Sequence, residues 1–195
     1  ACAAALIAAS SAWAQTAYPT KPIRLVVGFT AGGISDVIAR SIAVKLSSEL
    51  GQQVYVENRP GAGTTIASDL IARAEPDGYT LMLQDVTTHA INATLYPKLS
   101  YDTVKSFTPV AMVASTPLML VVNPSSPAKT VNDLISMLKA KPGGYSYGSS
   151  GNGTIVHLTS EMFNNAAKVD AVHVPYKGSA PATQAILGGE VAFVF

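Results

Sequence analysis

Apolar positions along this chain fall into short continuous runs and into longer stretches where an apolar residue recurs every few positions. The first run covers residues 23–29 and is rich in β-branched side chains, which predicts a strand. Ile34, Ile38, Ile42 and Leu46 then recur four apart and predict a helix that ends near Leu50. Three further elements are predicted in this half of the chain: a strand at 54–57, a helix at 66–74 and a strand at 81–83.

A long extended region separates this half of the chain from the next. Residues 107–130 carry two apolar runs separated by prolines, a pattern that is typical of extended chain crossing between domains. The alternation of strands and helices then resumes. The predicted elements are a helix at 131–140, a strand at 145–149, a helix at 154–165, a strand at 172–174, a helix at 180–187 and a strand at 191–195.

This order of elements predicts the fold class. Strands that alternate with helices form parallel sheets whose faces are covered by the helices. We therefore predict an α/β fold with two lobes. The first lobe is expected at residues 18–115, an interlobe crossing at 116–127, and an incomplete second lobe at 128–195.

Composition narrows the possible partners. Hydrophobic residues make up 48% of the chain and charged residues 13%, which suits a well-packed core. Thirteen basic and twelve acidic side chains leave a net charge of +1, and the basic residues form no run. A nucleic-acid partner is therefore not expected, since such binding needs clustered positive charge. A small anionic ligand remains compatible, because backbone amides also provide positive potential.

The first residues read as the remnant of a signal peptide. Residues 1–14 are apolar and rich in alanine, and they end on Ala12-Trp13-Ala14, a cleavage site of the A-x-A type. A membrane anchor is the alternative, but the apolar run is shorter than the ~20 residues that span a bilayer. Cys2 is the only cysteine and would be removed with the signal. We expect export to a periplasm-like compartment without disulfide bonds.

Two glycine-containing loops are the strongest local signal for a ligand. Ala31-Gly32-Gly33 follows the first predicted strand, and residues 150–154 follow a strand in the second half. Each loop opens a predicted helix, whose first N–H groups are unpaired and lie at the positive end of the helix dipole. One such loop is explained equally well as a tight turn. Two matched loops favour a ligand held at the carboxyl ends of the strands.

Other kinds of chemistry have weaker support. Neither the G-x-G-x-x-G fingerprint nor a P-loop is present, and Glu57 alone is a weak indication of a ribose site. Ser150 and His157 leave open a secreted α/β hydrolase, although the loop lacks the G-x-S-x-G motif. His89, His157 and His173 do not have zinc spacing. We predict no metal, no cofactor and no enzymatic activity.

Six stretches of the chain, in this order, resemble the solute-binding receptors of tripartite tricarboxylate transporters, first known as the Bordetella uptake gene products. They are YPTKPIRLVVGFTAGGISDVIAR, VENRPGAGTTIASDLIARAEPDGYTL, THAINATLYPKLSYDTVKSFTPV, LVVNPSSPAKTVNDLI, YGSSGNGTIVHLTSEMF and VHVPYKGSAPATQAILGGEV. The resemblance implies a periplasmic binding protein of type II, the Venus-flytrap fold, with a small carboxylate in its cleft. It also implies membrane permease subunits as partners, and we expect a monomeric receptor. Family members continue past Phe195, so the resemblance implies that the C-terminal part is missing.

The resemblance places ligand contacts in three regions. The first-lobe contacts are Thr30, Ala31, Gly32, Gly33 and Asp36. A third contact region falls on Thr88 and His89. The second-lobe contacts are Ser150, Asn152, Gly153, Thr154, His157, Tyr176 and Lys177.

Simpler roles remain open for some of these residues. Asp36 has the position of a helix cap, Lys177 that of a solvated loop lysine, and Tyr176 that of a packing residue. The chain also departs from the family pattern at Asp85, whose carboxylate would repel an anion near Thr88 unless it points away.

Overall fold

The structure, a computed structural model, describes residues 18–195. The signal peptide predicted at residues 1–14 therefore lies outside the described residues, as does Cys2. Two separate parallel sheets of three strands each organise the described chain, with helices between successive strands. None of the helices in this part of the chain is both long and apolar enough to cross a membrane.

The first sheet forms around a central strand that is apolar at every position but Arg24. Its order is β2-β1-β3, and the central strand is buried along most of its length, as a continuous apolar run requires. Its strands are β1 (Ile23–Val27), β2 (Val54–Asn58) and β3 (Thr80–Leu83), and its helices are α1 (Ile34–Leu50), α2 (Thr65–Ala72) and α3 (Val86–Leu95). A short 3-10 turn, Ala62–Thr64, precedes α2.

Helix α1 packs on this sheet through small residues. Ala39 and Ala43 are buried against the strands, with Leu46 and Leu50 beside them. Ile34 is half-exposed, so the buried stripe is displaced from the four-residue spacing that predicts the helix. Gly51 ends the helix in the left-handed conformation, as expected for a C-cap glycine.

Helix α3 is the one element of the first lobe that the sequence pattern does not predict. Its sequence, VTTHAINATL, begins with β-branched residues that lower helix propensity. Asp85 compensates as the N-cap, because its carboxylate accepts a hydrogen bond of 2.8 Å from the Thr88 amide. The Asp85 carboxylate, which would repel an anion near Thr88 if it pointed there, is thus engaged in capping α3.

The second sheet repeats the arrangement with order β5-β4-β6. Its strands are β4 (Ser146–Ser149), β5 (Val172–Pro175) and β6 (Phe193–Val194), and its helices are α4 (Val131–Ala140), α5 (Ile155–Ala167) and α6 (Ser179–Gly188). Tyr147 and Phe193 stack in the core with ring centroids 5.4 Å apart, over Leu134 and Leu138. Strand β6 is shorter than predicted because its pairing with β4 covers only two residues.

The region predicted to be extended, residues 107–130, has no regular secondary structure over most of its length. Residues 107–120 form neither helix nor strand, and Val110 and Met112 are among the most exposed apolar side chains of the described chain. Val121 then pairs antiparallel with Val194, with N–H to O distances of 2.8 and 3.0 Å. The end of this region is therefore attached to the second sheet, and the division at 116–127 stays a prediction.

Two leucines of the second lobe test the assignment of the core. Leu138 is 0% exposed and Leu187 is 66% exposed. We expect Leu138→Ala to lower the free energy of unfolding by about 2–5 kcal/mol, because it leaves a cavity. Leu187→Ala should change it by less than about 0.5 kcal/mol. Urea unfolding followed by circular dichroism measures both, and equal losses would show that the core is assigned wrongly.

Candidate functional site

The carboxyl ends of the two sheets meet across a cleft. Helices α1, α2, α5 and α6 each begin after a parallel strand, and their N-termini lie on this side of the molecule. A cavity of about 210 Å³ lies between the loops. It is lined by Gly28, Phe29, Gly61, Ala62, Gly63, Thr64 and Tyr96 of the first lobe and by Ser150, Gly151, Asn152, Pro175, Tyr176 and Lys177 of the second.

The electrostatic character of this cavity is positive. Among the described residues that line it, Lys177 is the only one that carries a charge. The lining residue Thr64 directly precedes α2, and the lining residue Asn152 lies three positions before the start of α5, so the N-termini of both helices add the positive ends of their dipoles. Ser150 and Asn152 contribute neutral donors. The cavity therefore suits a small anion.

The predicted first-lobe loop contacts the second lobe instead of lining the cavity. The amide of Thr30 donates to the carbonyl oxygen of Lys177 over 3.3 Å, and the amide of Ile34 donates to Ser179 Oγ over 3.3 Å. A Cβ atom on Gly33 would lie 2.7 Å from the same Ser179 Oγ. Residues 30–33 are thus a contact between the lobes, and their role as ligand contacts stays a prediction.

Asp36 supports this loop from beneath. It is 3% exposed and lies in the first turn of α1, where its Oδ2 accepts hydrogen bonds of 2.9 Å from Gly32 N and Arg40 Nε. Arg40 also donates to Asn58, whose Nδ2 donates to the carbonyl oxygen of Phe29 over 3.0 Å. This network of hydrogen bonds around Asp36, called the Asp36 bracket below, holds both ends of the loop.

Asp36 is ionised in this environment. Burial by itself would raise the pKa of Asp36, but the hydrogen bonds from Arg40 and Gly32 outweigh burial and hold the pKa below its ordinary value. Asp36 is not the N-cap, which is Gly33, and the side chain is occupied by the bracket. A direct ligand contact of Asp36 stays a prediction.

Residues 61–64 line the cavity, although none of the predicted ligand contacts falls on them. Ala62 and Thr64 have φ angles of 46° and 73°, a conformation that side chains rarely adopt and that concentrates at functional sites. Gln84 holds Thr64 in place by a 2.6 Å hydrogen bond. The sequence does hold one indication of this loop, which is its place in the topology. The loop follows strand β2 just as the predicted ligand loop follows strand β1.

The two residues of the third predicted contact region, Thr88 and His89, have different surroundings. Thr88 is buried, and its Oγ1 accepts a 3.2 Å hydrogen bond from the amide of Ile155 at the start of α5 in the other lobe. His89 turns away from the cavity: its Nε2 lies 2.8 Å from the carbonyl oxygen of Thr103, and its ring packs edge-on against Phe107. We therefore leave His89 out of the candidate site.

The second-lobe loop brings most of its predicted residues together. Thr154 is the N-cap of α5 and accepts from the His157 amide, while Ser150 Oγ donates to Thr154 Oγ1 over 3.1 Å. The Gly153 amide donates to His157 Nδ1 over 3.1 Å. Ser150 and Asn152 line the cavity, whereas Gly153, Thr154 and His157 shape the loop that presents them.

A pair of stacked histidines lies under this loop. The rings of His157 and His173 are nearly parallel, with centroids 4.0 Å apart, and His173 Nε2 lies 2.6 Å from Ser149 Oγ. Burial lowers the pKa of His157. Burial, together with the neighbouring His157, lowers the pKa of His173 to about 4. Tyr147 stacks on His173 and donates to Glu161, and burial raises the pKa of Tyr147.

The hydrolase alternative is not favoured by this geometry. Ser150 donates to Thr154, and His157 accepts from the Gly153 amide, so the two are not hydrogen-bonded to each other. The serine that contacts a histidine is Ser149, which is 0% exposed. A nucleophile needs access to its substrate as well as a base.

A second hollow, of about 300 Å³, lies on the first lobe between α2 and residues 96–101. Its lining includes both Asp69 and Lys98, so opposite charges face it. Although it is larger, its described lining residues come from the first lobe alone and include one helix N-terminus, that of α2 at Thr65. The cleft between the lobes is therefore the better candidate.

Comparison with known proteins identifies relatives of this chain. Residues 38–195 match the sequence profile of the tripartite tricarboxylate transporter family receptor. A UPF0065 protein of Bordetella pertussis is 38% identical over 192 residues, which are 98% of this chain and 59% of that protein. The protein BugT of the same organism is 40% identical over 176 residues, which are 90% of this chain and 54% of that protein. The chain thus spans little more than half the length of these two relatives.

Three solved structures share the fold. One is described as a periplasmic transporter, with 48% identity and a TM-score of 0.88. Rpa4515 of R. palustris, solved with adipate, has 39% identity and a TM-score of 0.87. MatC (Rpa3494) of Rhodopseudomonas palustris, with bound malate, has 34% identity and a TM-score of 0.84. Each covers 91% of this chain and 59–60% of the other, and the predicted α/β periplasmic-binding-protein fold is confirmed.

Two aspartates, each paired with an arginine four residues later on its own helix, test the Asp36 bracket. Asp36 pairs with Arg40 over 2.9 Å and is buried, whereas Asp69 pairs with Arg73 over 3.0 Å and is partly exposed. We expect Asp36→Asn to lower the free energy of unfolding at pH 7 by about 1–3 kcal/mol, because a neutral amide replaces the buried carboxylate that accepts from Gly32 and Arg40. Asp69→Asn should cost less than about 1 kcal/mol.

The pH dependence checks the same point. Because the pKa of Asp36 is lowered by folding, its contribution is present above the ordinary carboxyl pKa of about 3.9 and is lost as the pH falls through the lowered value. Chemical unfolding of both variants at pH 7 and pH 3 measures this. Equal losses from Asp36→Asn and Asp69→Asn at pH 7 would contradict the bracket.

Proposed function

The chain belongs to the tripartite tricarboxylate transporter receptor family, and we propose that it is a solute-binding receptor that encloses a short dicarboxylate between its two lobes. The observation that carries this proposal is the cleft cavity, in which Lys177 is the only charged residue among the described lining residues. The N-termini of α2 and α5 reinforce that positive charge. A ligand held here has to be anionic, and carboxylates match these donors.

We assign the contacts by their place in the cavity. Lys177 would neutralise one carboxylate, and Tyr176 beside it would cover the ligand. Ser150 and Asn152 would donate hydrogen bonds from the second lobe, and the backbone of residues 61–64 would meet the ligand from the first. Residues 30–33, Asp36, Thr88, Gly153, Thr154 and His157 would act by shaping the two loops and closing the lobes.

The size of the cavity supports a short ligand. Its volume of about 210 Å³ is below the roughly 300–1,000 Å³ of pockets that hold drug-sized molecules. Two relatives of known structure carry adipate and malate, which are short dicarboxylates. Both ligands have two negative ends, which suits a cleft with donors on both of its walls. We therefore propose malate and adipate as the first probes.

Closure of the lobes is the proposed mechanism. Among residues 18–195, three hydrogen bonds cross between the lobes at this cleft: Thr30 N to Lys177 O, Ile34 N to Ser179 Oγ and Ile155 N to Thr88 Oγ1, with lengths of 3.3, 3.3 and 3.2 Å. Bonds at this long end of the range contribute at most about 1 kcal/mol each. A ligand that touches both lobes adds the rest and shifts the population towards the closed form.

Location and partners follow from the family. We propose that the receptor works in the periplasm, to which the signal peptide predicted at residues 1–14 would direct it. There the closed, loaded form would be recognised by the membrane permease subunits of the transporter. We expect the receptor itself to act as a monomer.

A lysine pair tests the charge of the cleft. We expect Lys177→Gln to weaken malate and adipate binding at least about tenfold, since hydrogen bonds to charged groups contribute about 1.5–3 kcal/mol. Lys139→Gln, on the exposed face of α4, is the matched control and should leave the affinity unchanged. Isothermal titration calorimetry measures both. Unchanged affinity in Lys177→Gln would remove the main support for this site.

A glycine pair flanking helix α6 tests closure. Gly178 has a φ of 146°, and a Cβ there would lie 2.4 Å from Thr30 Oγ1 and 3.1 Å from Thr30 N, across the lobe contact. Gly189 also has a positive φ, of 75°, but nothing lies within 4 Å of its Cβ position. We expect both alanine variants to lose roughly 1–2 kcal/mol or more of stability.

Only Gly178→Ala should also lose malate affinity, because its Cβ keeps the lobes apart. Calorimetric titration beside thermal melts separates the two effects. If Gly178→Ala and Gly189→Ala bind malate equally well, contact between residues 30 and 178 is not needed for binding, and the closure mechanism is wrong.

A further inference from the structure

We propose that the His157 ring, stacked on His173, is a proton-sensitive positioning element, which holds the second-lobe loop in its ligand-binding shape only while His157 is neutral. The inference rests on the proposed function, because it concerns the loop that presents Ser150 and Asn152 to the ligand. Neither histidine is among the residues that line the cavity. Both would therefore act through the backbone of residues 149–153.

His157 holds one side of the loop. The Gly153 amide donates to His157 Nδ1 over 3.1 Å. Only an unprotonated Nδ1 can accept this hydrogen bond, because an imidazolium ring carries a proton on both nitrogens. Protonation of His157 would therefore release the amide that follows Asn152, at the point where the loop enters α5.

His173 holds the other side through Ser149. Its Nε2 lies 2.6 Å from Ser149 Oγ, and the same Oγ accepts a 3.1 Å hydrogen bond from the Gly151 amide. The amides on either side of Asn152 are thus fixed through one ring each. Because the two rings stack at 4.0 Å, displacement of one ring disturbs the other.

The surroundings disfavour a proton on the pair. Burial lowers the pKa of both rings, and the neighbouring His157 lowers the pKa of His173 further. Glu161 on α5 works in the opposite direction, although its carboxylate is engaged by the Tyr147 hydroxyl of β4. Helix α3 packs on α5 and carries one titratable side chain, His89. The Nε2 atom of His89 contacts the carbonyl oxygen of Thr103.

The direction of the pH effect follows from these contacts. Folding lowers the histidine pKa values below the ordinary value of about 6.5. The neutral His157 ring therefore stabilises the loop fully above that value, and the contribution is lost as the pH falls through the lowered pKa of His157. The loop should loosen in mild acid and release its ligand.

Two substitutions at His157 separate a proton-sensitive role from a merely structural one. His157→Asn places an amide oxygen near the position of Nδ1, so it can accept from Gly153 and cannot be protonated. His157→Ala removes the acceptor at every pH. Malate binding to the wild-type chain and both variants is measured by calorimetry at pH 7.5 and pH 5.0. Ionisation of malate cancels when proteins are compared at one pH.

At pH 7.5 we expect His157→Asn to bind malate like the wild type, and His157→Ala to bind more weakly. At pH 5.0 His157→Asn should bind malate more tightly than the wild type, because its amide oxygen still accepts from Gly153 and cannot take up a proton. A wild type and a His157→Asn variant that weaken in parallel between the two pH values would overturn the proposal.

An acid titration followed by nuclear magnetic resonance gives a readout that needs no ligand. We expect the Gly153 amide shift of the wild type to follow the titration of the His157 ring. In His157→Asn the Gly153 amide should stay unchanged over the same range. A wild-type Gly153 amide that ignores the His157 titration would overturn the inference, even if no protein binds malate. Absence of malate binding alone counts against the proposed function.

Discussion

The close approach of two backbones across the cleft is the constraint on which the rest of the structure depends. At Gly178 a single added carbon would lie 2.4 Å from Thr30 Oγ1, and at Gly63 it would lie 2.9 Å from the carbonyl oxygen of Asn152. Such distances leave no room for a side chain at these two points. The loops after β2 and β5 therefore carry glycine where they meet the other lobe.

This constraint also determines the charge of the cleft. Where few side chains fit, the ligand meets backbone amides and the N-termini of helices, which favour anions. The acids nearby are already engaged: Asp36 holds Gly32 and Arg40, Asp85 caps α3, and Glu161 accepts from Tyr147. Lys177 is left as the one charge that faces the cavity among its described lining residues.

Sequence periodicity predicts this fold well because strands and helices alternate along the chain. The one missed element of the first lobe, α3, depends on the Asp85 cap and on burial of Thr88 and Asn92 more than on apolar periodicity. The local pattern of apolar residues in the sequence does not reveal such capping and burial. Strand β6 is overestimated for the converse reason, since residues 191–195 are apolar but only two of them pair with β4.

The candidate site is predicted in outline, and its details depend on tertiary contacts. Both glycine loops lie at the cleft, but residues 30–33 contact the other lobe, while residues 61–64 line the cavity. The pairing of His157 with His173 joins residues from α5 and β5 and leaves no mark in local sequence. His89 belongs to an aromatic cluster with Tyr101 and Phe107. The central claim, that one anion is held by both lobes, is tested most directly by titrating the ¹⁵N-labelled chain with malate and following its backbone amides. The account predicts that amides of residues 61–64 and 150–153 shift together with a single affinity. Shifts confined to one lobe, or to the hollow beside Asp69 and Lys98, would contradict it.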